Sequence, residues 1–91
     1  MKVTVHFLGQ ARQLAGRDQR VVEAPDGATV NDLVPALLDG APDRLAAIIG
    51  DETGLRRSVL AILREESIDP AEPNQLHDGD ELSLLPPMSG G

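Results

Sequence analysis

The side chains able to do chemistry in this 91-residue sequence are few. There is no cysteine, which excludes a thiol nucleophile, a thiolate metal site, a disulfide scaffold and sulfur stored on a side chain. His6 falls on the polar side of a strand pattern and His77 precedes a turn, and neither has a partner at the spacing of a metal site or a catalytic triad, so both read as surface or structural residues. Asp78, Asp80 and Glu81 surround Gly79 and invite a calcium reading. The further oxygen ligands and distant Glu of a twelve-residue calcium loop are missing, which leaves a tight turn, and the expected metal ligands are none. Glu65 and Glu66 read as solvated at a strand end. No phosphate-cradling, dinucleotide or nucleophile-elbow pattern occurs, and Lys2 is the only lysine. Catalysis by the chain alone is not expected.

The C-terminal segment is where chemistry concentrates. It runs Asp78-Gly79-Asp80-Glu81-Leu82-Ser83-Leu84-Leu85-Pro86-Pro87-Met88-Ser89-Gly90-Gly91: a turn, a strand, two prolines and a Gly-Gly end. Pro86 and Pro87 favour an extended strut, so Met88, Ser89 and Gly90 present Gly91 away from the body; Pro87 to Gly91 reaches about 15 Å when extended. Two terminal glycines, lacking Cβ, can thread a narrow channel. A carboxylate at Gly91 on such an arm suits the active site of another enzyme.

The elements that position this arm follow from periodicity. Val3, Val5 and Phe7 alternate with Lys2, Thr4 and His6 as in a half-buried strand. Gln10 to Ala15 predicts a helical turn closed by Gly16, and Gln19 to Ala24 a second strand stopped by Pro25-Asp26-Gly27. Thr29 and Asp32 form a variant capping box for a helix whose Val30, Leu33, Val34 and Leu37 share one face; Pro35 predicts a kink or an early end. Pro42 to Ile49 predicts a short second helix, Gly50 to Gly54 a loop, Arg57 to Arg64 a central strand, and Glu81 to Leu85 the last strand. One helix on a mixed sheet of four to five strands is an α+β roll. Residues 1–85 form the domain and 86–91 a flexible tail. If Val3, Val5, Phe7, Val59, Ala61, Leu63, Leu82 and Leu84 face the helix, then His6, Leu8, Leu60, Ile62 and Leu85 face outward at the root of the tail, as a docking patch for partners.

Eight basic against fifteen acidic residues give a formal charge of −7. That repels phosphate backbones, so nucleic acid is not an expected partner, whereas a basic groove on a protein partner is. The opening residues do not read as a signal peptide, and no run approaches the roughly 18 apolar residues of a membrane span, so no membrane partner and a cytoplasmic location are expected.

The C-terminal DGDELSLLPPMSGG, with VHFLGQARQLAGRD and VVEAPDGATVNDLVPAL in the same order and spacing, resembles the ubiquitin-like sulfur carriers, which include the molybdopterin synthase small subunit and the thiamine-pathway sulfur carrier. The resemblance spans essentially the whole chain and implies a β-grasp fold. It further implies that a ubiquitin-activating-like adenylyltransferase uses ATP to adenylate Gly91, that a sulfur donor displaces AMP to leave a thiocarboxylate, and that a sulfur-acceptor biosynthetic enzyme consumes it. The acceptor includes the molybdopterin synthase large subunit among its possibilities. No cofactor is implied on the chain itself, which is a carrier and not an enzyme. Two departures leave the branch open: Glu65-Glu66 stands where many members have an Asn-Gly turn, and GDETGLRRS lengthens the middle, as in actinobacterial cysteine-biosynthesis carriers and archaeal modifiers. The Pro-Pro-Met-Ser-Gly-Gly end favours the molybdopterin branch. The alternative is a protein modifier joined through Gly91 to target lysines.

Overall fold

The computed structural model describes residues 1–87; Met88, Ser89, Gly90 and Gly91 lie outside the described residues. In chain order the elements are β1 (Lys2–Phe7), α1 (Gln10–Ala15), β2 (Gln19–Glu23), α2 (Val30–Leu38), α3 (Asp43–Ile49), β3 (Gly50–Asp51), β4 (Gly54–Leu55), β5 (Leu60–Leu63), β6 (Glu66–Ile68) and β7 (Glu81–Leu85).

Five strands form one sheet in the order β2-β1-β7-β5-β6. β1 and β7 are parallel at its centre, while β2, β5 and β6 join antiparallel. Alternation sorts the side chains: Val3, Val5, Phe7, Ala61, Leu63, Leu82 and Leu84 are buried on one face. Val30, Leu33, Val34 and Leu37 of α2 complete the same core. Val59, just ahead of β5, is buried too, so the inward and outward assignment of the third long strand is as its pattern predicts.

The start of α2 follows its sequence closely. The Thr29 hydroxyl accepts from Asp32 N–H and the Asp32 carboxylate accepts from Thr29 N–H, closing the capping box. Of the kink or early end expected at Pro35, the early end does not occur, because the helix runs on to Leu38. A proline inside a helix costs about 3 kcal/mol. Leu37, 1% exposed, recovers about 1.5–3 kcal/mol by burial. Arg20 also donates to the carbonyls of Leu37 (2.7 Å) and Asp39 (3.2 Å), satisfying acceptors that a helix end leaves open.

Two further expectations are corrected. Residues 50–55 form the small β3–β4 hairpin, not a plain loop. The predicted strand over 57–64 is shorter, since Arg57 and Ser58 turn before β5, and it continues through a tight hairpin into β6. The central residues of that hairpin are Arg64 (φ 50°) and Glu65 (φ 69°), whereas Glu66 already pairs with Leu63. Positive φ at both central residues is the type I′ geometry that matches strand twist, and this chain adopts it without the usual Asn-Gly.

At the start of β7, beside that hairpin, the Asp78-Gly79-Asp80 turn is structural, as read. Asp78 Oδ1 accepts Lys2 N–H at 2.7 Å. Asp80, 8% exposed, accepts His77 N–H at 2.8 Å and pairs with Arg64. These contacts fix where the last strand begins, and hence where it ends.

Candidate functional site

β7 delivers the C-terminal segment from the middle of the sheet, flanked by strands on both sides. Leu60 lies opposite Leu85, and Leu8 N–H donates to the Leu84 carbonyl at 3.0 Å, so Leu8 lies along the other flank. Leu8, Leu85 and Leu60 thus form a row across the outer face at the point where the chain leaves the sheet. Leu60 is 43% and Leu8 36% exposed, while Leu85 is half-buried.

The remaining two patch candidates fall one row back. The register places His6 opposite Ser83 and Ser83 opposite Ile62, so a serine separates them. His6 Nε2 lies 2.7 Å from Glu81 Oε1, which gives the ring a partner within the sheet. The five outward residues share one face, in an aliphatic row and a mixed polar row. His77 stands apart from them, near Arg64, with Nδ1 3.2 Å from the guanidinium.

The ladder stops because proline has no N–H to donate. Pro86 is buried and Pro87 exposed, so the first residue of the expected arm is packed into the body. Pro87 shares a shallow cleft with Gln10, Ala47, Ile48, Arg56 and Ser58. Arg56 Nη1 donates to the Ala47 carbonyl at 2.6 Å, anchoring a cation beside the exit. The other arm residues named from the sequence, Met88, Ser89, Gly90 and Gly91, lie outside the described residues.

Two supporting residues escaped the sequence reading. Gly9 has φ +57°, and a Cβ there would stand 2.8 Å from Leu85 Cδ1; the close approach seats Leu85 over the start of α1. A Gly after a strand was visible, but its partner 76 positions away was not. Arg56 was hidden in a stretch read only as loop and strand.

Among the described residues, no group of three or more His, Cys, Asp or Glu is placed to hold a metal ion, and no helix is long and apolar enough to cross a membrane. The Asp51 carboxyl, in the β3–β4 hairpin, is held below its usual range chiefly by hydrogen bonds from the Thr53 hydroxyl and amide, with a smaller contribution from Arg56. The tail root therefore presents an aliphatic row and a nearby arginine where the last strand ends.

Comparison with known proteins gives this geometry a lineage. The chain is 30% identical over 91 residues to the molybdopterin synthase sulfur carrier subunit of Chlamydomonas reinhardtii, covering all of both chains. It is 32% identical over 92 residues to the subunit of that name from Drosophila melanogaster, covering all of this chain and 92% of the relative. The crystal structure of small archaeal modifier protein 1 from Haloferax volcanii superposes over the full length of both chains with a TM-score of 0.81 at 26% identity. The complex of subunits 1 and 2 of the molybdopterin-converting factor from Helicobacter pylori contains a chain that matches over its full length with a TM-score of 0.59 at 28% identity. The fold is the ubiquitin-like β-grasp. The ThiS family model matches residues 5–91, and the chain belongs to the ThiS family.

Proposed function

We propose that the protein is a sulfur carrier, not an enzyme by itself, and that the carboxylate of Gly91 carries the chemistry. The observation that supports this most is the placement of β7: it leaves the centre of the sheet between Leu8 and Leu60 and passes through Pro86-Pro87 into Met88-Ser89-Gly90-Gly91. A ubiquitin-activating-like adenylyltransferase uses ATP on that carboxylate. The carboxylate oxygen attacks the α-phosphorus and pyrophosphate leaves, giving an acyl adenylate. Hydrosulfide then attacks the acyl carbon and AMP leaves, giving the thiocarboxylate. A carboxylate is a poor electrophile and a mixed anhydride a good one, which is why the ATP step precedes sulfur transfer. His6, Leu8, Leu60, Ile62 and Leu85 form the docking face for both partners, and Gly90 lets the arm thread.

Molybdopterin biosynthesis is the favoured destination, with the large subunit of the synthase as acceptor. Relatives named as the sulfur carrier subunit of molybdopterin synthase, matched along the whole chain, support it. Other sulfur-containing products (cysteine, the thiamine thiazole, thiosugars, thiolated tRNA) use the same chemistry at the carrier.

The test is intact mass spectrometry after incubation with ATP, a sulfur source and the host's activating enzyme. The expected result is a gain equal to exchanging one oxygen for sulfur, lost when Gly91 is deleted. No gain with an enzyme active on another carrier overturns the reading. The likeness to small archaeal modifier protein 1 favours a second reading, in which the activated Gly91 ends in an isopeptide bond to a target lysine. Gly91-linked lysine remnants in host protein digests would select it.

A further inference from the structure

The formal charge of −7 is distributed unevenly along the direction of the tail strand. At the end where β1 and β7 begin stand Glu23, paired across from Lys2; Asp26, in the turn after β2; Asp78, bonded to the Lys2 amide; Glu81, across from Thr4; and Glu65 and Glu66, at the β5–β6 hairpin. Of the chain's eight lysines and arginines, only Lys2 and Arg64 are at that end, together with the N-terminal ammonium, which pairs with Asp26. The other six are arginines near the opposite end. Arg12 is on α1, ion-paired with Asp18, and Arg17 follows it; the Asp18 carbonyl accepts the Phe7 amide at the end of β1, and Asp39, beside Arg17 and Arg20, and Asp43, at the start of α3, offset part of the positive charge at this end. Arg20 lies near the start of β2, and Arg44 is on α3, which packs against α1. Arg56 shares the cleft of Pro87, and Arg57 lies in the turn three residues before Leu60, the partner of Leu85.

Six residues of β1 span about 17 Å, while charges are screened over about 8 Å at physiological ionic strength. A docking surface at the tail root therefore responds to the arginines around it and scarcely to the acidic end. Net charge alone points to a basic partner groove, whereas the arginines around the tail root point to the opposite sign there. We propose that the tail root is a cation-rich docking face, and that the activating enzyme of the reading above, on which this inference rests, meets it with an acidic rim around the channel that receives the tail. The Leu8–Leu85–Leu60 row supplies the apolar centre of that contact, and Arg17 and Arg57, both exposed, supply its charged border.

The experiment is steady-state pyrophosphate release by the host's activating enzyme with full-length carrier as the varied substrate. The double variant Arg17→Glu/Arg57→Glu is expected to raise KM about tenfold at low salt, with kcat close to unchanged and the difference shrinking as salt rises. The double variant Glu23→Lys/Asp26→Lys, at the far end, is expected to leave KM within about twofold. Circular dichroism melts confirm that both variants are folded. A rise in KM confined to the acidic-end variant overturns the proposal in favour of a basic partner, and equal KM values for all three proteins overturn it outright. In either case pyrophosphate release from the wild type persists, whereas its absence from the wild type overturns the carrier reading itself.

Discussion

Gly9 and Leu85 touch across the exit of the tail: a Cβ on Gly9 would sit 2.8 Å from Leu85 Cδ1, and Gly9 itself has φ +57° and ψ −131°. That backbone region is essentially open to glycine alone, and a side chain held there costs about 1–3 kcal/mol. Gly9→Ala is therefore expected to lower unfolding free energy by at least that much, because Leu85 must also move. Urea denaturation measures the loss. Turnover by the activating enzyme is expected to fall as well, since Leu85 is the last residue of the strand before Pro86-Pro87. Unchanged stability would mean that Leu85 yields without cost.

Leu60 lies directly across from Leu85 yet remains 43% exposed, so its contribution to the fold is small, and in the proposed reading its side chain is free to meet a partner. Leu60→Ser is expected to change stability by less than about 1 kcal/mol. It is expected to raise the KM for adenylation at least tenfold, an effect of about 1.4 kcal/mol or more on docking. A denaturation curve and the pyrophosphate assay on one preparation separate the two effects. A large stability loss with unchanged KM would assign Leu60 to the fold and not to the partner.

What was legible in the sequence was whatever carries a period or a cap. The alternation of Val3, Val5 and Phe7, the apolar face and capping box of α2, and the bounds of β7 at Glu81 and Leu85 all follow from local rules. The outward placement of His6, Leu8, Leu60, Ile62 and Leu85 was legible for the same reason. The rest depended on contacts between residues far apart in the chain. Pro35 marks a helix end by local rules, but the burial of Leu37 and the bonds from Arg20 carry α2 onward. The family resemblance placed a turn at Glu65-Glu66, one residue beyond its actual centre at Arg64-Glu65, and β6 was not read at all, because neither residue is a turn former and the antiparallel pairing of Ala61, Ile62 and Leu63 sets the register.

That hairpin makes its own prediction. Glu65 at φ 69° occupies a left-handed conformation costing a side-chain-bearing residue about 1–2 kcal/mol, part of which glycine forfeits through a freer unfolded chain. Glu65→Gly is expected to stabilise the protein by about 0.5–1 kcal/mol, read as a higher urea midpoint at unchanged slope. A lower midpoint would show that the Glu65 side chain makes a compensating contact.

The Asp51 carboxyl is held below its usual range chiefly by the Thr53 hydroxyl, with the Thr53 amide next. A depressed folded value means that the charged form is favoured in the native hairpin. Its contribution is thus present above the unfolded carboxylate range and is lost as pH falls through the folded value. Because Asp51 is fully exposed, the effect is local. In an NMR titration, Thr53→Ala is expected to bring Asp51 back toward the ordinary aspartate value while the β1 and β7 resonances stay in place. An unmoved Asp51 midpoint would exclude the hydroxyl as the cause.

Arg64 and Asp80 join the hairpin to the turn that starts the tail strand. Asp80 is 8% exposed and also holds His77 N–H, so removing Arg64 leaves a buried carboxylate with its charge less well compensated. A hydrogen bond to a charged group contributes about 1.5–3 kcal/mol, and Arg64→Ala is expected to lose stability within that range. Asp80→Ala is expected to lose at least as much, because it orphans the His77 amide too. Since the two residues share one interaction, the double variant is expected to lose clearly less than the two single losses combined. Strict additivity in that cycle would mean that the ion pair contributes nothing, and that the turn is held by the Asp80–His77 bond, Asp78 and the backbone.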